Sequence, residues 1–162
     1  MLFFDKIKLI ENAVKLGPNK VDFQKDIAPY LDEEASRGHF YRLLKNNPDW
    51  LEVLYNNGEI FRFSEIKEIF NDNVSITIRD NVATKYLVEI ASFKPEEVLD
   101  IIIKMPDTDN GRIHEDYIKV ACNIPPEYAI ISPLFTYVSS LTSIWLTCPY
   151  TVDIPSPCIS IT

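Results

Sequence analysis

Glycine is scarce, with 4 in 162 residues. No glycine-rich phosphate loop exists, because such a loop needs several residues free of a Cβ around the phosphate. Together with an ordinary charged fraction of 25%, the scarcity also argues against disorder and against a fibrous repeat. Cysteine is almost as rare. Cys122, Cys148 and Cys158 make an odd, unpatterned set with no CxxC and no Cys/His spacing of the kind zinc requires. Thiols in a reducing compartment are the plain reading. There are 2 histidines, His39 and His114, and neither has a second ligand at metal spacing. Basic residues are outnumbered 16 to 24, which sets the net charge at −8. Phosphate backbones demand clustered Lys and Arg, so no nucleic-acid partner is expected. The acidity favours solubility and, secondarily, a basic partner. A signal peptide is missing too: in "MLFFDKIKLIENAVKL" the apolar run is broken at once by Asp5, Lys6 and Lys8. A cytoplasmic location is the default expectation.

What is present is core material. Apolar residues make up 46% and aromatics 12%, enough for one domain of this length. Phe3, Ile7, Ile10 and Val14 recur at helical spacing with Asp5, Lys8, Glu11 and Lys15 opposite, and Gly17-Pro18 stops that helix. A second segment from about Phe23 to Leu31 contains Pro29, so it is short or kinked. A third helix is expected from Asp32 to about Lys45, with "DEE" in its first turn and Phe40, Leu43 and Leu44 apolar. In "NPDWLEVLYNNG", Asn47 caps, Pro48 takes the first helical position and Gly58 ends the helix, with Trp50, Leu51 and Leu54 as its stripe. "SEIKEIF" from Ser64 carries a capping residue and reads as a short helix. "NVSITIRDN" alternates Val74, Ile76 and Ile78 with polar residues. It reads as an extended connector, a small hairpin being the lesser alternative.

Two stretches then repeat, "YLVEIASFKPEEVLDII" from Tyr86 and "YIKVACNIPPEYAIISP" from Tyr117. Tyr86 aligns with Tyr117, Ala91 with Cys122, Phe93 with Ile124, Pro95 with Pro126, and Leu99 with Ile130. Each copy reads as a helix, a tight break, then a proline opening a second helix with glutamate in its first turn. A unit of this size cannot bury its stripe alone, so copies stack. "FYRLLKNNPDWLEVL" fits loosely, Tyr41 and Pro48 standing for the Tyr and Pro. The expected fold is all-α: a right-handed stack of antiparallel helix pairs over residues 1–146, clearest at 83–105 and 112–140. Trp50, Leu87, Ile90, Leu99 and Ile102 are its expected shared core, and 147–162 an irregular tail.

The segments "NPDWLEVLYNNGEIF" and "YLVEIASFKPEEVLDIIIKMPDTDNGRIHED" resemble HEAT-like helical repeats, and in particular the helical regions of large bacterial proteins, some linked to prokaryotic defence. The resemblance covers roughly residues 38 to 131. It implies an α-solenoid fragment and brings no catalytic residues.

Local motifs with chemical potential have ordinary explanations. "DTDNG" at 107–111 departs from a calcium loop, with Gly111 at position five and Ile118 at position twelve, and suits a capped inter-helix turn. Pro48-Asp49 with Glu65-Ile66-Lys67 superficially matches a metal-dependent nuclease, but both halves carry helical patterns. Cys122, beside Ile118 and Val120, reads as a buried inert thiol. No catalytic residue, metal or cofactor is expected.

The expected function is a non-catalytic scaffold or protein-interaction module, part of something larger. One alternative is a helical accessory region of a multidomain NTPase or nuclease. Another is a membrane-associated protein, since 129–152 is uncharged over a span-like length. Pro133, Pro149, frequent Ser and Thr, and the lack of flanking Lys or Arg argue against a membrane. Phe135, Val138, Leu141 and Trp145 form an apolar face expected to meet a protein partner or a second copy. The loss of pattern after Pro126 fits a truncated chain or an altered reading frame.

Overall fold

The computed structural model describes residues 2–62, 65–70, 73–78, 81–105 and 110–129. Its helices begin and end at the punctuation in the sequence. Helix α1 (Phe3–Leu16) stops at Gly17, whose φ of 88° a side chain would strain, and Pro18 opens a 3₁₀ turn, Pro18–Lys20. Asp22 caps α2 (Phe23–Asp26) by accepting from the Lys25 backbone N–H, and a 3₁₀ turn containing Pro29 follows. Helix α3 (Glu34–Leu43) leads to Asn47, which accepts from the Asp49 N–H and starts a turn, Pro48–Trp50, running into α4 (Leu51–Asn56). Gly58 ends this segment in the left-handed region, φ 71°. A further 3₁₀ turn, Glu59–Phe61, precedes two strands, and the chain then returns to helix in α5 (Val82–Ile90), α6 (Pro95–Lys104), α7 (Gly111–Asn123) and α8 (Pro126–Ala129).

Among the described residues the regular structure is helical apart from those strands. Residues 65–70, expected as part of a short helix, are instead β1 (Glu65–Phe70), and residues expected as a lone connector are its antiparallel partner β2 (Asn73–Ile78). The register runs from Glu65 opposite Ile78 to Phe70 opposite Asn73. Two physical causes outweigh the capping signal at Ser64. Ile66, Ile69, Val74, Ile76, Thr77 and Ile78 are β-branched, and their χ1 restriction suits a pleated surface. Only two residues separate the strands, the commonest hairpin connection. The "EIK" of the nuclease-like match therefore lies on a strand, while Asp49 stays on a helical turn.

One apolar cluster runs through the described helices. Ile10 of α1, Phe40 of α3, Trp50, Leu87 and Ile90 of α5 and Val120 of α7 are fully buried in it. The expected core residues Trp50, Leu87, Ile90, Leu99 and Ile102 all belong to it. Helix α1 packs on α3, α3 on α5 and α5 on α7. Aromatic rings tie α3 to other neighbours: Phe40 lies 6.2 Å from Phe23 of α2 and 5.9 Å, nearly perpendicular, from Trp50 just ahead of α4.

The two repeated stretches share their beginnings and diverge at the break. Tyr86 and Tyr117 are both buried. Ala91 is buried while its counterpart Cys122 is exposed, and Phe93 is 59% exposed while Ile124 is 5% exposed. The expected burial of Cys122 is thus corrected. Helix α5 ends at Ile90 but α7 continues to Asn123, past the equivalent point. Buried positions Ile113, Tyr117, Val120 and Ile124 follow the three-and-four spacing of one face. Cys122, two residues from Val120, falls about 200° round the helix from it.

Candidate functional site

Two helix starts converge on one groove. In α4 the first-turn acids are Asp49, just ahead of it, and Glu52; in α6 they are Glu96 and Glu97, with Asp100 one turn later. Acidic side chains belong there because the unpaired N–H groups of a first helical turn carry partial positive charge. Pro18 and Asn19, Leu51 and Tyr55 complete a groove of about 610 Å³ that all five carboxylates line. Lys94 lies 3.3 Å from Glu97. Lys104, at the far end of α6, donates to Asp100 at 2.6 Å and to the Tyr55 hydroxyl at 2.9 Å, and its ammonium sits 5.3 Å from the Tyr55 ring centre. The Asp100 hydrogen bond, then that to Tyr55, pushes the Lys104 ammonium up from its usual pKa. Asp49, Glu52 and Glu96 have no counter-ion among the described residues. The groove is therefore acidic with apolar walls, and both segments that carry the repeat resemblance line it.

A second polar cluster is buried. The Arg37 guanidinium pairs with the Glu59 carboxylate and donates to the Arg62 carbonyl at 2.7 Å. Arg62 in turn lies 3.7 Å from Glu59 and donates to the Leu31 carbonyl at 3.0 Å. Arg37 also sits 5.3 Å from the centre of the Tyr41 ring. Burial pushes the Tyr41 hydroxyl well above the usual phenol range. This cluster anchors the chain where it leaves for the hairpin. Nearer the other side, Thr84 places its hydroxyl 2.8 Å from the Asn81 carbonyl and 2.7 Å from Asp116 of α7, tying α5 to α7.

The sequence-derived candidates fall apart in space or lie elsewhere. His39 is 3.2 Å from Glu11, an ordinary helix-to-helix contact, and His114 lies against Tyr117. Asn110, fourth in the calcium-like run, caps α7 by accepting from the Arg112 N–H. Among the described residues no group of three or more His, Cys, Asp or Glu side chains is placed to hold a metal ion. Nor is any described helix long and apolar enough to cross a membrane. Phe135, Val138, Leu141 and Trp145, the expected interaction face, lie outside the described residues, as do the tail 147–162 and nearly all of 129–152. In the sequence Asp49 belongs to the nuclease-like match and Glu96 to a first helical turn; that two first turns face one space depends on tertiary placement. No family model, curated protein or solved structure matches the chain.

Proposed function

We propose that this chain is a non-catalytic helical-repeat module that binds a protein partner, with the acidic groove between α4 and α6 as the docking surface for a basic segment. The observation that carries the reading is the groove itself, where Asp49, Glu52 and Glu96 have no compensating cation among the described residues, the lining Lys94 being paired with Glu97. Burying three uncompensated carboxylates against a Lys- or Arg-rich segment gains charge-assisted hydrogen bonds that water alone supplies in the free chain. The solenoid reading is supported by the succession of contacts α1 to α3 to α5 to α7, in which alternate helices meet. Self-association through Phe135, Val138, Leu141 and Trp145 remains part of the same proposal.

The test uses fluorescence anisotropy with a labelled oligolysine peptide at two salt concentrations. Reversing Asp49, Glu52 and Glu96 to lysine should abolish binding. Reversing the exposed Asp5, Glu34 and Glu127, which do not line the groove, should leave it largely intact. Equal loss from both triple variants would mean the peptide reads only net charge, and the groove would not be a docking surface.

A further inference from the structure

The two edges of the hairpin are chemically unlike. Strand β1 carries Glu65, Lys67 and Glu68, the charged residues that keep a free edge from pairing with other chains. Strand β2 carries none: Asn73, Val74, Ser75, Ile76, Thr77 and Ile78. Among the described residues the sheet has only these two strands, so half of the β2 backbone N–H and C=O groups face away from β1 with no ladder partner. A two-stranded sheet is by itself marginal in water. Strand β2 thus has an uncharged edge, unpaired among the described residues, on a sheet that gains from widening.

The sequence of that edge names its occupant. Val74-Ser75-Ile76-Thr77-Ile78 is a palindrome in chemistry: apolar, hydroxyl, isoleucine, hydroxyl, apolar. We infer that β2 pairs antiparallel with β2 of a second copy about a two-fold axis through Ile76, giving a four-stranded sheet ordered β1-β2-β2-β1. In that register Val74 stands opposite the second copy's Ile78, Ser75 opposite its Thr77, and Ile76 opposite its own equivalent. Every apolar residue then meets an apolar one and every hydroxyl a hydroxyl, the cross-strand pairs that stabilise sheets.

Geometry rules out the alternatives. Opposed residues in antiparallel strands lie on the same face, so a closed two-fold must pass through a residue rather than between two. At the middle of β1 that residue is Lys67 or Glu68, and either choice sets a like charge against itself. Pairing β2 with β1 of the second copy is heterologous and leaves an open-ended array in place of a closed dimer. With the axis on Ile76, residues Val74, Ile76 and Ile78 of both copies share one face, and at its two outer margins β1 places Ile69 opposite Val74, with Lys67 and Glu65 opposite Ile76 and Ile78.

The test is a directed cross-link in the full chain with Cys122, Cys148 and Cys158 replaced by serine. Ile76→Cys should form a disulfide-linked dimer on mild oxidation, because directly opposed Cα atoms lie about 4.5–5.5 Å apart, within disulfide range. Lys67→Cys should not, since the two outer strands would be about 14 Å apart at strand spacing. Sedimentation velocity on the native sequence should show a monomer–dimer equilibrium, shifted towards monomer by Ile76→Lys with helical circular dichroism unchanged. A concentration-independent monomer would overturn the inference and leave the edge to another segment of this chain. Cross-linking through Lys67→Cys, or a dimer unaffected by Ile76→Lys, would overturn it as well.

Discussion

The rings of Tyr41 and Tyr86 meet edge to face, 5.8 Å between centres with planes 62° apart. One belongs to α3 and the other to α5, and each hydroxyl reaches a backbone carbonyl: Tyr86 that of Asn47 at 2.7 Å, Tyr41 that of Glu59 at 3.5 Å. The ring contact joins the two helices, while each polar tip ties its helix to a neighbouring turn. A double-mutant cycle of Tyr41→Leu and Tyr86→Leu, followed by urea unfolding, should give a coupling of about 0.5–1.5 kcal/mol. Strict additivity would show that the ring contact contributes nothing beyond burial.

The same two tyrosines predict how the protein responds to alkali. Burial raises both hydroxyls above their ordinary value of 10.0, with Asp49 and Glu89 adding to the effect on Tyr86. In the unfolded chain they ionise near that ordinary value, so above it the unfolded state holds fewer protons than the folded one. Stability from these groups is intact below pH 10 and falls as pH rises, by up to about 1.4 kcal/mol per pH unit for each. Urea midpoints between pH 9 and 11 should therefore drop, and Tyr41→Phe should lessen the slope. An unchanged slope would place the alkaline sensitivity elsewhere.

Trp50 is fully buried, and its indole N–H has no acceptor among the described residues. Trp50→Ala removes a large side chain from the middle of the cluster and should cost roughly 3–5 kcal/mol. Trp50→Phe keeps the ring contact with Phe40 and gives up no hydrogen bond, so its loss should be clearly smaller by thermal unfolding. Equal losses would mean that the indole N–H is satisfied.

The Arg37–Glu59 pair should respond asymmetrically. Glu59→Gln leaves a buried guanidinium without its counter-charge, a change that costs about 3–5 kcal/mol when one partner of a buried pair is removed. Arg37→Met with Glu59→Leu removes both charges and should destabilise less than Glu59→Gln alone, even with the Arg62 carbonyl losing a donor. Denaturant midpoints for the two variants decide the point.

Local chemistry was the legible part of this fold. Gly17-Pro18, Asn47-Pro48, Gly58 and Pro95 act within a few residues of themselves, so their helix boundaries could be read directly. The hairpin was not legible because Val74, Ile76 and Ile78 announced a strand while its partner wore a helix cap at Ser64. The exposure of Cys122 is not legible from its neighbours, because α7 runs on beyond the point where α5 stops and carries Cys122 round to the outer face. Arg37 and Glu59 are separated by 22 positions, and nothing local in either announces the other. The groove depended on bringing Asp49 and Glu96 to one space, which spacing along the chain does not encode.

The hairpin leaves the helical body at Arg62, whose carbonyl Arg37 holds, and returns at Asn81, whose side chain caps α5. The turn Glu59–Phe61 just before it touches α5 just after it. The chain thus departs and returns at neighbouring points already fixed by other contacts. Closure entropy grows only logarithmically with the length spanned, about 0.6 kcal/mol per doubling. This position is therefore a socket: a longer ribbon, a helix or an entire foreign domain can occupy it while α3, α5 and α7 keep their places.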